Sequence, residues 1–309
     1  MNKSKNLRNL FSSHKLIRAM GAHNALGAKL VERSGFGAVW ASGLEISTSY
    51  ALPDANILTM TDFFNAASSM NEAVNIPVIA DCDTGFGNSN NVIHLVKKYE
   101  AAEIAAVCIE DKLFPKVNSF IPGRQELASI AEFVGKILAA KNAQNGPDFM
   151  VIARVEALIA GWGMDEALKR AHAYADAGAD AILIHSKSGS PGEIYEFVDK
   201  WNNQAPLVVV PTKYCDVTVE ELQEKRISMV IYANHGIRAS IRAMSEVFSS
   251  VYASGSTASV EDKIATLDEV FELQGMPQMK ESELKYSLAD LQMRLQSYRL
   301  PVIISKSIL

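Results

Sequence analysis

At 309 residues, with 48% hydrophobic and 21% charged content, the chain has the make-up of a soluble globular protein of one large domain or two ordinary ones. Its net charge of −5 gives no basic footprint, which argues against nucleic acid and anionic membrane as partners and leaves any anionic substrate to local donors. Cys82, Cys108 and Cys215 form no CxxC pair, no apolar run reaches the length of a membrane span, and the basic N-terminus lacks the apolar stretch of a signal peptide, so a reducing cytoplasm is expected.

Residues 1–15 read as a lead-in. A strand over 16–22 is followed by a helix over 24–34, then a strand over 38–41 that opens into Ser42-Gly43-Leu44. A longer loop over 45–58 carries Asp54, and Thr61 with Asp62 behind it caps a helix running to about 74. Pro77 introduces the strand 78–80, which ends in Asp81-Cys82-Asp83-Thr84-Gly85, and a helix covers 89–101. The apolar run 105–109 is a strand that stops in Glu110-Asp111-Lys112. Helix 126–141, strand 150–155, helix 165–177 and strand 181–184 continue the alternation into His185-Ser186-Lys187. A helix near 191–201, strands 207–210 and 229–232, and a helix to about 252 complete it.

Eight short apolar strands, each followed by a helix, predict a closed α/β TIM barrel, (β/α)8. An open doubly wound sheet is the runner-up, but the phosphate turn GxGxxG is missing after the first strand. Two further helices, over 260–274 and 281–299, exceed what a barrel needs, so the chain divides into a catalytic barrel at 1–255 and a helical extension at 256–309. The apolar faces of that extension must be covered by its own barrel or by a neighbouring subunit.

The C-terminal ends of barrel strands share one mouth. There the sequence places Trp40, Ser42, Asp81, Asp83, Glu110, Arg154, Glu156, His185, Thr212, Lys213, Asn234 and His235. Asp83-Thr84-Gly85 alone is an ordinary turn sequence. Two acids spaced i, i+2 with Glu110 on the next strand are better explained as oxygen ligands for a hard cation, Mg2+ rather than Ca2+. Arg154, inside an apolar strand, either pairs with Glu156 or binds a phosphate or carboxylate with its fork. His185 is a ligand candidate, whereas His14, His23, His94 and His172 have no comparable setting. Ser42-Gly43-Leu44 is an anion nest or simply a turn, and Trp40 walls the site or fills the barrel. These residues give a Mg2+-assisted enzyme acting on a small anion, and they leave the reaction open.

Six segments carry a resemblance: Trp40 to Leu44, Asp81 to Asn88, Glu110 to Lys112, Phe114 to Ser119, Ala153 to Ala157 and His185 to Lys187. Together they resemble the phosphoenolpyruvate mutase family of the isocitrate lyase superfamily, in the expected order over roughly 15–275. The resemblance implies interconversion of phosphoenolpyruvate and phosphonopyruvate, the entry step of phosphonate biosynthesis. It implies that Asp81 binds Mg2+ directly, with Asp83 and Glu110 acting through water. Ser42, Gly43 and Leu44 would hold the substrate carboxylate beside Trp40; Arg154 and His185 would hold the phosphoryl group; Asp54 would be a supporting catalytic acid. Lys116, Asn118 and Ser119 would lie on a gating loop. It further implies a homotetramer, a dimer of dimers built by exchanging the barrel's last helix, and a phosphonopyruvate decarboxylase or transaminase as pathway neighbour.

Relatives separate on the loop. Isocitrate and methylisocitrate lyases carry Lys-Arg-Cys-Gly-His there, and 112–124 has no cysteine. Phosphonopyruvate hydrolase generally has threonine where this chain has Asn118, a double donor. Oxaloacetate hydrolase-type members are a more distant alternative. A catalytically silent anion-binding barrel would break the acid set or the loop, and both are intact. Phe86 stands where tyrosine is usual, Cys82 replaces a small residue, and 300–309 matches nothing familiar.

Overall fold

Apolar runs too short for helices, bounded by glycine, proline or charge, become strands. In the computed structural model, which describes residues 2–287, these are β1 (Ile17–Ala22), β2 (Ala38–Ala41), β3 (Val78–Asp81), β4 (Ala106–Glu110), β5 (Met150–Val155), β6 (Ala181–Ile184), β7 (Leu207–Val209) and β8 (Met229–Tyr232). Each pairs in parallel with the next and β8 pairs with β1, so the predicted barrel is closed. Alternate side chains divide between two cores, as a period of two requires. Trp40, Ile79, Cys108, Ile152, Leu183 and Ile231 fill the interior, while Val39, Val107, Val151, Ile182 and Val230 pack outward.

The outward face is covered by α2 (Ala25–Arg33), α3 (Gly43–Ser49), α4 (Met60–Ala73), α5 (Ser89–Ala101), α6 (Ile130–Ala143), α7 (Ala157–Ala160), α8 (Gly163–Asp176), α9 (Gly192–Trp201) and α10 (Val219–Glu224); α11 (His235–Ser254) follows β8. The lead-in expected at 1–15 contains a helix, α1 (Lys3–Ser12), capped by the Asn2 side chain. Its few apolar residues hid it, yet Leu7 is fully buried in the interior core with Leu10 and Phe11 against it. Arg8 fastens it by donating to the carbonyls of Asp148 and Phe149, each at 3.0 Å, and to Asp180 at 2.9 Å. These partners precede β5 and β6, so α1 stoppers the end of the barrel opposite the strand C-termini.

Two other expectations shift. The loop expected at 45–58 begins inside α3, whose first turn is capped by Ser42, and the cap of α4 is Thr59 rather than Thr61, with Asp62 completing a capping box. The short helices α7 and α10 were not legible, being under two turns each. The chain divides into two units between Ala243 and Met244. In the second unit the helix expected over 260–274 is a 3-10 turn (Glu261–Lys263) and α12 (Leu267–Gln274), with Thr266 starting the true helix. Next comes α13 (Met276–Lys285), five residues earlier than expected; the remainder of the helix expected to 299, and the tail at 300–309, lie outside the described residues. Among the described residues no helix is long and apolar enough to cross a membrane.

Gly21 on β1 shows how tightly the strand ends meet. A Cβ there would collide with the Ala233 carbonyl and lie 2.5 Å from Glu45 Oε1. Gly21→Ala is therefore expected to cost about 1–3 kcal/mol through overpacking, read as a lower thermal midpoint; an unchanged midpoint would mean the two backbones can separate freely.

Candidate active site

The C-terminal ends of the strands, as predicted, converge on one cavity of about 50 Å3. Trp40, Ser42, Leu44, Asp54, Asp81, Lys116, Asn118, Ser119, Arg154 and His185 line it, joined by Phe120, Thr212 and Asn234. Of the residues expected at the mouth, Gly43, Asp83, Glu110, Glu156, Lys213 and His235 do not line it; Asp83, Glu110 and Glu156 are buried outside the lining. Larger hollows lie on the barrel exterior, one of about 520 Å3 lined by Tyr195, Lys225 and Arg226. Convergent buried charge, not size, marks the site.

One wall is acidic. Asp81 ends β3 and accepts the Gly43 N–H at 3.1 Å and the Asp83 N–H at 3.3 Å. The Gly43 N–H, expected in an anion nest, is thus engaged by Asp81, and a Cβ at Gly43 would lie 3.1 Å from Asp81 Oδ2. Asp83 takes a left-handed backbone (φ 47°), a conformation aspartate tolerates better than most residues, which turns its side chain back toward Asp81 and Lys116. Lys116 Nζ lies 2.8 Å from Asp54 Oδ1 and 2.9 Å from Asp83 Oδ1. Asn118 donates to Asp54 Oδ2 at 2.6 Å. Asn56, which the sequence did not single out, donates to Asp83 at 2.7 Å and accepts the Lys116 N–H at 2.6 Å.

The other wall is cationic. Arg154 Nε lies 2.5 Å from Glu156 Oε1 and 3.3 Å from Glu110 Oε2, and its Nη2 lies 3.2 Å from Ser119 Oγ and 2.8 Å from His185 Nδ1. Glu156 is fully buried and also meets His185 Nδ1 at 2.7 Å and the Ser119 hydroxyl at 2.7 Å. Burial pushes Glu156 up, but Arg154, His185 and Lys112 overcome it and hold the carboxyl well below the usual range. Burial, and then the Arg154 charge, push His185 down, which keeps it neutral near pH 7. Below this wall Asp111 accepts from the Glu156 N–H at 2.9 Å, from Arg170 at 3.0 Å and from Tyr174 at 2.8 Å.

Protonation follows the same division. Burial pushes Asp54 up, but the Lys116 ammonium draws it below its usual value, so it stands as a carboxylate. Burial pushes Asp83 up to about 8; Lys116 pulls the other way, and Asp54, Asp81 and Glu110 add to the rise. Asp81 is raised too, first by burial. Glu110 Oε1 is buried with no hydrogen-bond partner. Among the described residues no three His, Cys, Asp or Glu side chains converge as a ready-made metal site. A hard cation held by one carboxylate, with its water shell touching the others, needs no such convergence. It would relieve the raised acids and meet Glu110, so the donor set fits Mg2+.

Comparison with known proteins gives the family and the fold. The family model described as phosphoenolpyruvate phosphomutase matches residues 7–252. The phosphoenolpyruvate phosphomutase of Tetrahymena pyriformis is 48% identical over 285 residues, 92% of this chain and 95% of its own. The crystal structure of phosphoenolpyruvate phosphomutase from Streptomyces platensis subsp. rosaceus is 59% identical with a TM-score of 0.91, covering 92% of this chain and 99% of that one. A phosphonopyruvate hydrolase structure, in complex with oxalate and Mg++, is 48% identical with a TM-score of 0.88, covering 93% of this chain and 99% of that one. A family model matching residues 7–252, a relative 48% identical over nearly the whole chain and a barrel that superimposes with a TM-score of 0.91 have one reading: the chain belongs to the phosphoenolpyruvate phosphomutase family.

Proposed function

We propose that the protein is a Mg2+-dependent isomerase, an intramolecular phosphotransferase that interconverts phosphoenolpyruvate and phosphonopyruvate. The observation that carries this reading is one small cavity with the carboxylates of Asp81 and Asp54 in one wall and Arg154, His185 and Ser119 in the other, while Asp83 and Glu110 are buried outside its lining, paired with Lys116 and Arg154. A substrate with a carboxylate at one end and a phosphoryl group at the other matches that polarity. Asp81 would hold magnesium directly and Asp83 and Glu110 through water, and the bound ion would supply positive charge against the enolate oxygens.

This chain's own groups do the rest. Ser42 and Leu44 receive the carboxylate beside Trp40, the Gly43 N–H between them being engaged by Asp81. The Arg154 fork and neutral His185 take up charge on the metaphosphate-like group as it leaves carbon, and Asn118, one N–H of which is held by Asp54, offers it the other. Asp54 holds Lys116 and Asn118 over the cavity, so that the gating loop excludes water. No net proton moves in the isomerisation, so no general base is needed.

The mutase reading competes with phosphonopyruvate hydrolase, which uses the same cavity. Purified protein given phosphonopyruvate and Mg2+ is expected to yield phosphoenolpyruvate; pyruvate plus phosphate would make it a hydrolase, and no turnover would remove both readings. Asn118→Thr is expected to raise the share of phosphate about tenfold, because the shorter side chain leaves room for water; an unchanged ratio would dismiss that role for Asn118.

Exposed apolar side chains in the second unit, among them Phe248, Tyr252, Leu267 and Leu284, support association with further copies, in the helix-exchanged dimer of dimers typical of this family. The three unpaired cysteines support a cytoplasmic setting. Because the equilibrium in this family favours phosphoenolpyruvate, a decarboxylase or transaminase that consumes phosphonopyruvate would draw the reaction forward.

A further inference from the structure

Lys112 follows β4 and is 2% exposed, a setting that disfavours an ammonium unless its protons are all used. They are used on the loop that Lys112 itself begins. Its Nζ donates to the Val117 carbonyl at 2.9 Å and to Ser119 Oγ at 2.8 Å, and lies 3.3 Å from Glu156 Oε2. The neck of this loop is narrow: Lys112 bridges Leu127, and the Leu113 N–H meets the Glu126 carbonyl at 3.0 Å. Four residues between these ends, Lys116, Asn118, Ser119 and Phe120, face the cavity.

The loop's fastenings differ in kind. Lys116 and Asn118 are held by Asp54, inside the cavity, where an incoming anion or cation competes for the same groups. Neither Lys112 nor Val117 lines the cavity, so the bond between them is out of reach of what the cavity contains, and Lys112 also steadies Ser119, which does line it. It also joins the loop to Glu156, the carboxylate that orients Arg154 and His185. We propose that Lys112 is a positioning residue that pins the loop at Val117 and Ser119, and thereby sets how much of the phosphoryl group passes to the enolate oxygen rather than to water.

The proposal rests on the mutase reading above. In either outcome the P–C bond of phosphonopyruvate breaks and leaves its electron pair on pyruvate enolate. Phosphorus then bonds to the enolate oxygen, giving phosphoenolpyruvate, or to a water oxygen, giving phosphate. In the second case one hydrogen of that water is in effect delivered to C3, giving pyruvate. A loop free to lift at Ser119 admits the water.

Lys112→Met keeps the length and apolar stem but removes the donors; Lys112→Gln keeps one amide. With phosphonopyruvate and Mg2+, followed by phosphorus NMR, Lys112→Met is expected to raise the ratio of phosphate to phosphoenolpyruvate about tenfold, with Lys112→Gln between it and the parent. Tryptic cleavage after Lys116, which is 6% exposed in the pinned loop, is expected to accelerate in the same order. A folded variant that merely turns over more slowly, with parental product ratio and parental cleavage, overturns the proposal. If the parent itself shows no turnover, the mutase reading fails, and the cleavage rates still decide whether Lys112 pins the loop.

Discussion

Arg154→Lys is expected to lower kcat on phosphonopyruvate by about 10²- to 10³-fold while the barrel still folds. The exchange keeps a positive charge and most of the stem, so Glu110 and Glu156 are not left as uncompensated buried carboxylates, an error that costs about 3–5 kcal/mol where an ion pair is broken outright. What it removes is the fork. One planar guanidinium reaches Glu156 and Glu110 through Nε and Ser119 and His185 through Nη2, and an ammonium cannot span those directions at once. Burial pushes Arg154 down, yet Glu156 and Glu110 more than offset it, so its charge is permanent over any working pH. The loss should fall on kcat more than on KM, because charge on the migrating group is greatest part-way between its two partners. Steady-state kinetics with a thermal melt on the same sample check this. A variant within about threefold of the parent would mean that charge alone, not its geometry, acts on the phosphoryl group.

The barrel was legible because its strands repeat one local pattern eight times, and parallel strands buried on both faces must read as apolar runs. Asp81 was legible at the cavity for a related reason, since a charge that ends such a run sits at the strand's mouth end, whereas Asp83 and Glu110 turn into buried pairings with Lys116 and Arg154. Pairings that depend on side chains folding back were not. Lys112 follows two acids and looks like any solvated lysine, but the narrow neck at Leu127 turns it inward. Asn56 sits in a loop without period, and only the approach of the segment around Lys116 gives it partners. α1 carries three apolar residues among polar ones, so nothing marks it before the open end of the barrel is in place to receive Leu7. Local periodicity was visible, in short, and long-range complementarity was not.

Asp81→Asn is expected to lower turnover by about 10³-fold or more and to abolish stabilisation by magnesium. Asp81 accepts two backbone N–H groups, from Gly43 and Asp83, one on each oxygen. An amide in its place offers one acceptor oxygen and one NH2, so one of those N–H groups would face a donor. The change therefore weakens the cation site and also loosens Gly43, and with it the segment from Ser42 to Leu44. In the parent protein Asp81 would hold the dication, with Asp83 and Glu110 meeting its water shell; its charge would relieve the carboxylates that burial has raised, and the shell would give Glu110 Oε1 the partner it lacks. Binding to the folded form alone then stabilises it: a magnesium concentration about 100 times the dissociation constant adds about 2.7 kcal/mol, a rise of several degrees in the thermal midpoint. The variant should show a shift of less than about 1 °C at the same concentration. Chelation should stop turnover in the parent and added Mg2+ should restore it. A parental magnesium shift in Asp81→Asn would place the cation elsewhere, and Glu110→Gln would be the next variant to measure.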